Sequence, residues 1–448
     1  MLSCQLAKGS RSRHSILMSK FVITGGKPLS GTITVGGSKN AALPLLAASL
    51  LTPEPVILTN IPAIRDVDNM LVILQSMGVQ VTREGNNVSL TAAEISVEDL
   101  STETVGKLRG SILLLGSLLA RTGQAQLPLP GGDIIGARPI DVHLDGFEQL
   151  GAVVTETEDS ISIDGSGMKA GRVILREFSV TATENTLMAA ASLDGTTTIE
   201  VAATEPHVVA LGELLGQMGA TIEGLGTHTI TVTGTSQRTG ATLTNIPDML
   251  EAGLFILLAA ATKSDLQIKN VPVDDLPLFF KKLVDIGVKF TTDGATVRVM
   301  PATLKPFKVQ TLPQPGIPTD LQAPFAVVAT QAAGTSLIHD PMYESRFRHC
   351  DELAKMGASI TVCDPHRVVI EGPTPLRGFH IKSLDIRSGA TLVMAGLLAS
   401  GETVIDDADI IDRGYERLAE RLQAIGADIK RVGTQAPIEP VVTIEPSN

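Results

Sequence analysis

The chain has 448 residues, of which 43% are hydrophobic and 19% are charged, and this balance excludes a disordered protein. It carries 36 Lys and Arg against 48 Asp and Glu, a formal charge of −12, and only 3% of its residues are aromatic. A protein that coats nucleic acid is therefore excluded, since that role needs a basic face or aromatic platforms for the bases. The length allows about two to four domains.

Residues 1–18 come first, and we expect them to be a disordered or misannotated extension. Their basic residues are followed by no apolar segment, which argues against a secretory signal, and Met18 is a second plausible start. Further along, the longest apolar runs, 111–120 and 252–262, reach about half the ~20 residues that a membrane-spanning helix needs. An odd number of cysteines fits a reducing compartment; they are Cys4, Cys350 and Cys363. We therefore expect a cytoplasmic protein without membrane insertion.

A short phrase, an apolar residue followed by Gly and then Ala or Val, recurs six times along the chain. Its glycines are 68 to 73 residues apart. A glycine just before a strand is typical of a helix end, where the backbone turns left-handed. Each phrase therefore predicts the end of a helix and the start of a strand. The glycines are Gly78, Gly151, Gly219, Gly287, Gly357 and Gly426.

A second element has the same period: six stretches rich in Ala and Leu that are apolar on nearly every face. A helix that is apolar all round is buried, whereas alternating stretches such as 229–232 predict half-exposed strands. Each unit is therefore predicted to hold about four strands and two helices, with one helix inside and the sheet facing solvent. The six stretches are 40–51, 110–120, 183–193, 250–262, 322–333 and 389–400.

Six units of this size exceed one core, so the predicted fold is α/β with two domains of three units each. The segments 36–38 and 245–247 are the candidate crossings between the domains. We expect residues 39–246 to form one domain and residues 19–38 plus 247–448 to form the other. In that arrangement the first strand pairs within the C-terminal domain.

The informative charges lie at the starts of the predicted helices. A cation at a helix N-terminus opposes the macrodipole, so chance or structure would place Asp or Ser there instead. Helix N-termini combined with Arg side chains bind phosphates and carboxylates. These residues therefore predict a site for small anionic ligands in the cleft between the domains. The cations are Lys39, Arg65, Arg109, Arg138, Arg346, Arg387 and Arg413, and Asn40 and Asp320 stand at similar positions.

The most specific local feature is the stretch 127–141. Its glycines and prolines precede a helix start, which indicates a mobile loop that presents Asp133 and then Arg138 at the mouth of the helix. Pro139 suits the first helical position. A surface hairpin with an ordinary turn aspartate is the alternative. No Gly-Lys-Ser/Thr follows, so the stretch is not a P-loop.

Three other groups of residues are weaker candidates for a functional role. Glu205 and His207 offer an acid and an imidazole, but their positions favour a structural role at the start of a helix. His143 is either a ligand contact or a residue on a helix face. The His and Cys residues between 349 and 366 match no standard zinc spacing, so no metal is expected.

Four motifs carry a family resemblance: Gly36 to Pro44, the loop around Asp133, Pro318 to Ala323, and Asp412 to Arg417. Together they resemble the UDP-N-acetylglucosamine 1-carboxyvinyltransferases, from about Lys20 to about Val432. The resemblance implies a fold of two inside-out α/β barrels, each made of three repeats. This agrees with the periodicity that the sequence shows by itself.

The resemblance also implies a reaction. The 3-hydroxyl of UDP-N-acetylglucosamine attacks C2 of phosphoenolpyruvate, and phosphate leaves from a tetrahedral intermediate, in the first committed step of peptidoglycan precursor synthesis. These two small molecules are the implied partners; no cofactor, metal, nucleic acid or obligate protein partner is implied.

The motifs also assign roles to residues of this chain. Asp320 matches the presumed base and Asp133 the general acid. The phosphoenolpyruvate contacts match Lys39, Asn40, Arg138 and Arg413. The nucleotide-sugar contacts match Asn40, Arg109, Arg138, Pro139, Ile140, Asp141, Val142, Ser179, Val180, Asp320 and Met342. Supporting charges match Arg346, Asp385 and Arg387.

The chain departs from the family pattern at four positions. Most members carry Cys where this chain has Asp133, and a carboxylate cannot form the thioether that fosfomycin makes with a thiol. Insensitivity to fosfomycin is therefore predicted. Glu177 stands where some members have Lys, and Thr181 stands where Gly is usual, so their contacts with the nucleotide are in question. Met249 replaces a common Arg and is expected to affect the interdomain face.

Two other functions remain open at this point. A 5-enolpyruvylshikimate-3-phosphate synthase shares the fold and phosphoenolpyruvate but not the acceptor. A non-catalytic paralogue that binds the nucleotide sugar as a sensor would explain the departures, yet the matched cations and Asp320 are all retained.

Overall fold

A computed structural model describes residues 19–97, 100, 105–106, 108–129, 131, 136 and 139–433. The expected extension 1–18, the loop residues Asp133 and Arg138, and residues 434–448 lie outside these ranges. No described helix is both long and apolar enough to cross a membrane.

The helices alternate between two kinds along the chain. Odd-numbered helices are buried over almost their whole length, whereas even-numbered helices bury one face. The predicted internal helices are thus confirmed. The helices are α1 (Lys39–Ala48), α2 (Arg65–Ser76), α3 (Leu114–Thr122), α4 (Asp141–Gln149), α5 (Val180–Ala190), α6 (Pro206–Gln217), α7 (Met249–Ala261), α8 (Pro277–Ile286), α9 (Gln322–Ala329), α10 (His349–Lys355), α11 (Ile386–Leu398) and α12 (Leu418–Gln423).

Each even-numbered helix is followed by a glycine in the left-handed region and then by a strand. The φ angles of the six glycines lie between +84° and +112°. This conformation is open to glycine and costs most other residues free energy. The helix ends predicted from the repeated phrase are confirmed.

Twenty-three strands are assigned within the described residues. They are β1 (Lys20–Thr24), β2 (Ser30–Thr34), β3 (Val56–Thr59), β4 (Gln80–Glu84), β5 (Asn87–Thr91), β6 (Gln124–Pro128), β7 (Val153–Glu156), β8 (Ser160–Asp164), β9 (Arg172–Ile174), β10 (Thr196–Glu200), β11 (Thr221–Glu223), β12 (Thr229–Thr233), β13 (Ala241–Thr244), β14 (Asp265–Lys269), β15 (Lys289–Asp293), β16 (Thr296–Met300), β17 (Lys308–Gln310), β18 (Gly334–His339), β19 (Ser359–Asp364), β20 (Arg367–Gly372), β21 (His380–Lys382), β22 (Glu402–Asp406) and β23 (Asp428–Val432).

These strands form six sheets, five with four strands and one with three in the described part of the chain. In each four-stranded sheet one edge strand pairs in parallel and the other pairs are antiparallel. The orders are β13-β3-β5-β4, β6-β8-β7, β11-β12-β10-β9, β15-β16-β14-β2, β17-β18-β20-β19 and β21-β22-β1-β23. Side chains alternate between buried and exposed along most strands, since one face covers a helix and the other meets solvent.

The buried hydrophobic residues form two clusters. One extends from Ala42 to Ala241, and the other combines Phe21 to Val35 with Met249 to Ile429. Accordingly, β1 pairs with β22 and β23, and β2 pairs with β14, so the first strands lie in sheets of the second cluster.

The chain crosses between the two clusters twice, and the crossings contact each other. Gly37 and Pro247 form an isolated antiparallel bridge. The side-chain amide of Asn245 donates to the carbonyls of Ser38 and Asn60, at 3.0 and 3.1 Å. Ser38 then caps α1 and Asp248 caps α7, so each crossing leads directly into a buried helix.

Candidate active site

All six buried helices begin at one cavity of about 630 Å³. Its lining includes residues from the first turn of each helix or from the segment just before it: Lys39, Arg109, Ser179, Met249, Asp320 and Arg387. The positive ends of six helix dipoles therefore converge there, which favours anionic ligands.

Most of the described residues assigned by the resemblance line this cavity. They are Lys39, Asn40, Arg109, Pro139, Ser179, Val180, Asp320, Met342, Arg346, Asp385, Arg387 and Arg413. Three others, Ile140, Asp141 and Val142, do not appear in the lining. The side chain of Val142 packs in the first hydrophobic cluster, and that of Asp141 lies 3.9 Å from Arg176.

Asp320 lies between two buried arginines. It follows Pro318 in a short 3-10 turn before α9; its Oδ1 accepts from Arg346, and its Oδ2 accepts from Nε of Arg387 at 2.9 Å. Burial by itself would raise the pKa of this carboxyl, but Arg346, Arg387 and Lys39 oppose burial and hold the pKa well below its usual range. Asp320 is therefore ionised at neutral pH.

Arg387 is held in place by the cap of its own helix. Asp385 accepts from the backbone N–H groups of Arg387 and Ser388, each at 2.9 Å, in a capping box. The guanidinium lies 5.2 Å from the ring centroid of Tyr415, and its Nη1 and Nη2 are buried without a well-formed hydrogen bond. Asp385 thus acts on the site by fixing Arg387.

Lys39 and Arg413 meet at a carboxylate that the sequence analysis missed. Asp66 is 2% exposed in the first turn of α2; its Oδ2 lies 3.3 Å from Lys39 Nζ and its Oδ1 2.9 Å from Arg413 Nε. Two of the three predicted phosphoenolpyruvate cations therefore share one counter-ion. An acidic residue in a helix's first turn was the available signal, but at this helix only Arg65 was noted.

Arg65 itself differs from its interpretation as a ligand cation. Its Nη2 lies 3.2 Å from Asp409, and Arg65 is not among the lining residues of the cavity. The nearby carboxylates of Asp409 and Asp412 attract it away from the cleft. Like the cations of the site, Arg65 lies at the start of a helix, but its side chain is directed away from the cavity.

Two acidic residues and a histidine lie in the cavity wall without an assigned role. Glu205 and His207, interpreted from sequence as a structural helix start, both line the cavity at the start of α6. Glu184 also lines the cavity. It was missed because its helix, α5, was predicted to be apolar on nearly every face. Burial, and to a smaller extent Glu205, raises the pKa of Glu184 well above its usual value.

Burial favours the protonated form of Glu184 in the folded protein, so the carboxyl contributes stability below the unfolded pKa of about 4.3. This contribution is lost as the pH rises through the raised folded pKa. Glu184→Gln is expected to gain stability relative to the parent between about pH 5 and pH 8, measured by urea unfolding. Exposed Glu213 offers the control Glu213→Gln. Parallel pH dependences of parent and Glu184→Gln would contradict the expectation.

The remaining departures from the family pattern also reach the cavity. Glu177 and Thr181 flank the start of α5, and Met249, expected at the interdomain face, is the first residue of α7; all three line the cavity. His143 is buried beneath Thr181, to which its Nε2 is hydrogen-bonded at 3.0 Å. Asp133 and Arg138 lie outside the described residues.

Comparison with known proteins now identifies the family. A model of the EPSP synthase family (3-phosphoshikimate 1-carboxyvinyltransferase) matches residues 23–422. A UDP-N-acetylglucosamine 1-carboxyvinyltransferase from Koribacter versatilis is 45% identical over 425 residues, covering 94% of this chain and 98% of that protein. One from Halothermothrix orenii is 43% identical over 416 residues, covering 93% and 100%.

Solved structures show the same fold. The enolpyruvyl transferase NikO from Streptomyces tendae superposes with a TM-score of 0.85 at 26% identity, covering 94% of this chain and 100% of that one. An EPSP synthase from Acinetobacter baumannii gives 0.74 at 20% identity, covering 92% and 100%. The predicted fold is confirmed, and the chain belongs to the carboxyvinyl transferases, the family of its UDP-N-acetylglucosamine 1-carboxyvinyltransferase relatives.

Proposed function

We propose that this protein transfers the enolpyruvyl group from phosphoenolpyruvate to the 3-hydroxyl of UDP-N-acetylglucosamine and releases phosphate. The observation that carries the proposal is an ionised Asp320 held in the cavity that also contains Lys39 and Arg413. Relatives at 41–45% identity over most of the chain bear the name of this activity. The reaction would make the protein an enzyme of the first committed step of peptidoglycan precursor synthesis.

The proposed reaction needs cations that can exchange their protein counter-ion for the substrate. In the structure Lys39 and Arg413 are paired with Asp66, which keeps both side chains extended toward one point. A phosphate or carboxylate of phosphoenolpyruvate would bind between the same cations, and charge-assisted hydrogen bonds of this kind are the stronger ones. Asp66 therefore orients the pair before the substrate arrives.

Asp320 would accept the proton of the attacking hydroxyl. As the sugar O3 bonds to C2 of phosphoenolpyruvate, its proton passes to Asp320 and C3 gains a proton from a general acid, which gives the tetrahedral intermediate. Loss of a C3 proton then expels phosphate. The depressed pKa makes Asp320 a weak base, and anionic substrates beside Arg346 and Lys39 would raise this pKa toward a useful value.

We assign the general acid to Asp133, whose role the resemblance implies. A carboxyl with an ordinary pKa of about 3.9 is ionised at neutral pH, so closure of the loop and removal of water would have to raise that pKa. We also propose that the two hydrophobic clusters are two domains, residues 39–246 and residues 19–38 plus 247–448, which close on the substrates between them.

Fosfomycin is expected not to inactivate the protein, because Asp133 offers no thiol for the epoxide. Of the described cysteines, Cys350 is buried and Cys363 is exposed, and neither lines the cavity. Asp133→Cys is expected to create time-dependent inactivation, measured as loss of phosphate release after preincubation with the drug. Time-dependent inactivation of the parent protein at ordinary concentrations would contradict this expectation.

One assay tests the proposed function against both alternatives. Phosphate release from phosphoenolpyruvate is measured with UDP-N-acetylglucosamine, with shikimate 3-phosphate, or with neither. We expect release with the nucleotide sugar alone. Release with shikimate 3-phosphate would establish the synthase that the family model names, and no release with either acceptor would leave a binding protein.

A further inference from the structure

Thr181 lies in the first turn of α5, and its hydroxyl differs from the other hydroxyls of that helix. Thr183 and Thr186 donate to the carbonyls of Ser179 and Ala182, each at 2.8 Å, which is the usual bond of a helical threonine. Thr181 makes no such bond: the only hydrogen bond of its hydroxyl to a described residue joins Oγ1 to Nε2 of His143 at 3.0 Å.

Three hydrogen bonds of Asn185 determine which atom donates in the bond between His143 and Thr181. The backbone N–H of Gly116 donates to Oδ1 of Asn185 at 2.8 Å, which fixes the orientation of this amide. The Nδ2 group of Asn185 therefore donates, at 3.0 Å to the carbonyl of Ile112 and at 2.8 Å to Nδ1 of His143. Nδ1 of His143 is an acceptor.

His143 is a neutral ring with its proton on Nε2. It is 3% exposed, and burial, with a smaller effect of Arg109, lowers its pKa to about 3. A neutral imidazole whose Nδ1 accepts must carry its proton on Nε2. Nε2 therefore donates to Thr181 Oγ1, and the hydroxyl hydrogen of Thr181 is left to point elsewhere.

Thr181 lines the cavity, so its hydroxyl hydrogen can point toward a ligand bound there. The first turn of α5 adds backbone N–H groups that have no partner within the helix. Glu184, one turn further on, also lines the cavity; it is 1% exposed, and its Oε1 has no hydrogen-bond partner among the described residues. Burial favours the protonated, uncharged form of Glu184, which weakens its repulsion of an anion.

We propose that Thr181 is a specificity-determining residue whose hydroxyl donates to a phosphate oxygen of the nucleotide diphosphate, with His143 and Asn185 as the positioning residues that aim it. The proposal rests on the proposed function for the identity of the ligand. The diphosphate is favoured over phosphoenolpyruvate because the proposed phosphoenolpyruvate site, the Lys39–Asp66–Arg413 cluster, is built on α1, α2 and the turn 408–413 and takes no residue from α5.

The test is Thr181→Val, which keeps the shape and removes the hydroxyl. We expect KM for UDP-N-acetylglucosamine to rise about tenfold, the scale of one hydrogen bond to a charged group. KM for phosphoenolpyruvate and kcat are expected to stay within about twofold. Thr181→Ser is expected to restore the parent KM. Thr186→Val makes the same chemical change in the same helix, at a hydroxyl bonded to the backbone, and is expected to change neither KM.

The effect of His143→Phe in two backgrounds tests whether His143 positions the Thr181 hydroxyl. His143→Phe is expected to raise KM for UDP-N-acetylglucosamine in the parent protein but not in the Thr181→Val background, since the ring acts through that hydroxyl. An additive effect would remove His143 from the role. An unchanged KM for the nucleotide sugar in Thr181→Val, or an equal rise in both KM values, would overturn the proposal.

Calorimetric titration with UDP-N-acetylglucosamine separates this proposal from the proposed function. A parent protein that binds the nucleotide sugar but releases no phosphate would refute the proposed transferase, and the affinity ratio of parent to Thr181→Val would still decide the role of the hydroxyl. A ratio near ten supports the role and a ratio near one overturns it. A parent protein that does not bind the nucleotide sugar would overturn both.

Discussion

Replacement of Asp320 by Asn is expected to lower kcat by at least about a hundredfold, the usual scale for the loss of a positioned base. The amide keeps the shape of the side chain but cannot accept the proton of the sugar hydroxyl. Steady-state phosphate release with saturating substrates measures the effect. A kcat near that of the parent would remove Asp320 from the role of base.

The same change removes the counter-ion of Arg346 and Arg387, so loss of activity must be separated from loss of structure. Because the pKa of Asp320 is depressed, its contribution to stability is full above the unfolded pKa of about 3.9 and is lost only as the pH falls through the lower folded pKa. The stability difference between parent and Asp320→Asn is therefore expected to be constant between about pH 6 and pH 8. A urea titration at both pH values, with the affinity for UDP-N-acetylglucosamine, shows whether the variant remains folded and binds.

Replacement of Gly37 by Ala is expected to destabilise the protein by about 3 kcal/mol, the upper part of the range for overpacked sites. A Cβ at Gly37 would lie 1.8 Å from the carbonyl oxygen of Asn60 and 2.9 Å from Nδ2 of Asn245. Backbone at the crossing would have to move, and Lys39 begins its helix two residues later. We expect a lower urea midpoint together with a higher KM for phosphoenolpyruvate.

Gly36 provides the matched control for this substitution. A Cβ there would meet its nearest neighbour, Oε2 of Glu251, at an ordinary 3.6 Å, and its φ lies outside the left-handed region. Gly36→Ala is therefore expected to leave the midpoint and KM close to those of the parent. Equal effects of the two substitutions would show that the close approach at Gly37 is not what matters.

The repeated architecture could be predicted from the sequence because every repeat carries the same local features at a regular spacing. Each helix end needs a glycine whose backbone can turn left-handed, and Gly78 and its five equivalents all do so. Each internal helix needs small apolar residues on every side. Both requirements act within a few residues, so they can be seen without knowing which strands pair.

The site was predicted less completely, because a sequence shows where a helix begins and not where its first side chains point. Arg65 and Arg387 occupy similar positions, yet one pairs with Asp409 outside the cavity and the other with Asp320 inside it. Asp66 was missed because its role depends on Arg413, which comes from a distant segment. Glu184 was missed because its helix was predicted to be apolar on nearly every face.

The pairing of β1 with β23 has a consequence for how the chain is made. Phe21 lies opposite Arg431, so the sheet that holds the first strand is incomplete until almost the whole chain has left the ribosome. The cluster from Ala42 to Ala241 has all its strands much earlier and can fold during synthesis. The first strands must then wait, unpaired, for their partners. The sheets of the cluster from Ala42 to Ala241 are therefore completed first during synthesis, and the sheet that holds β1 is completed last.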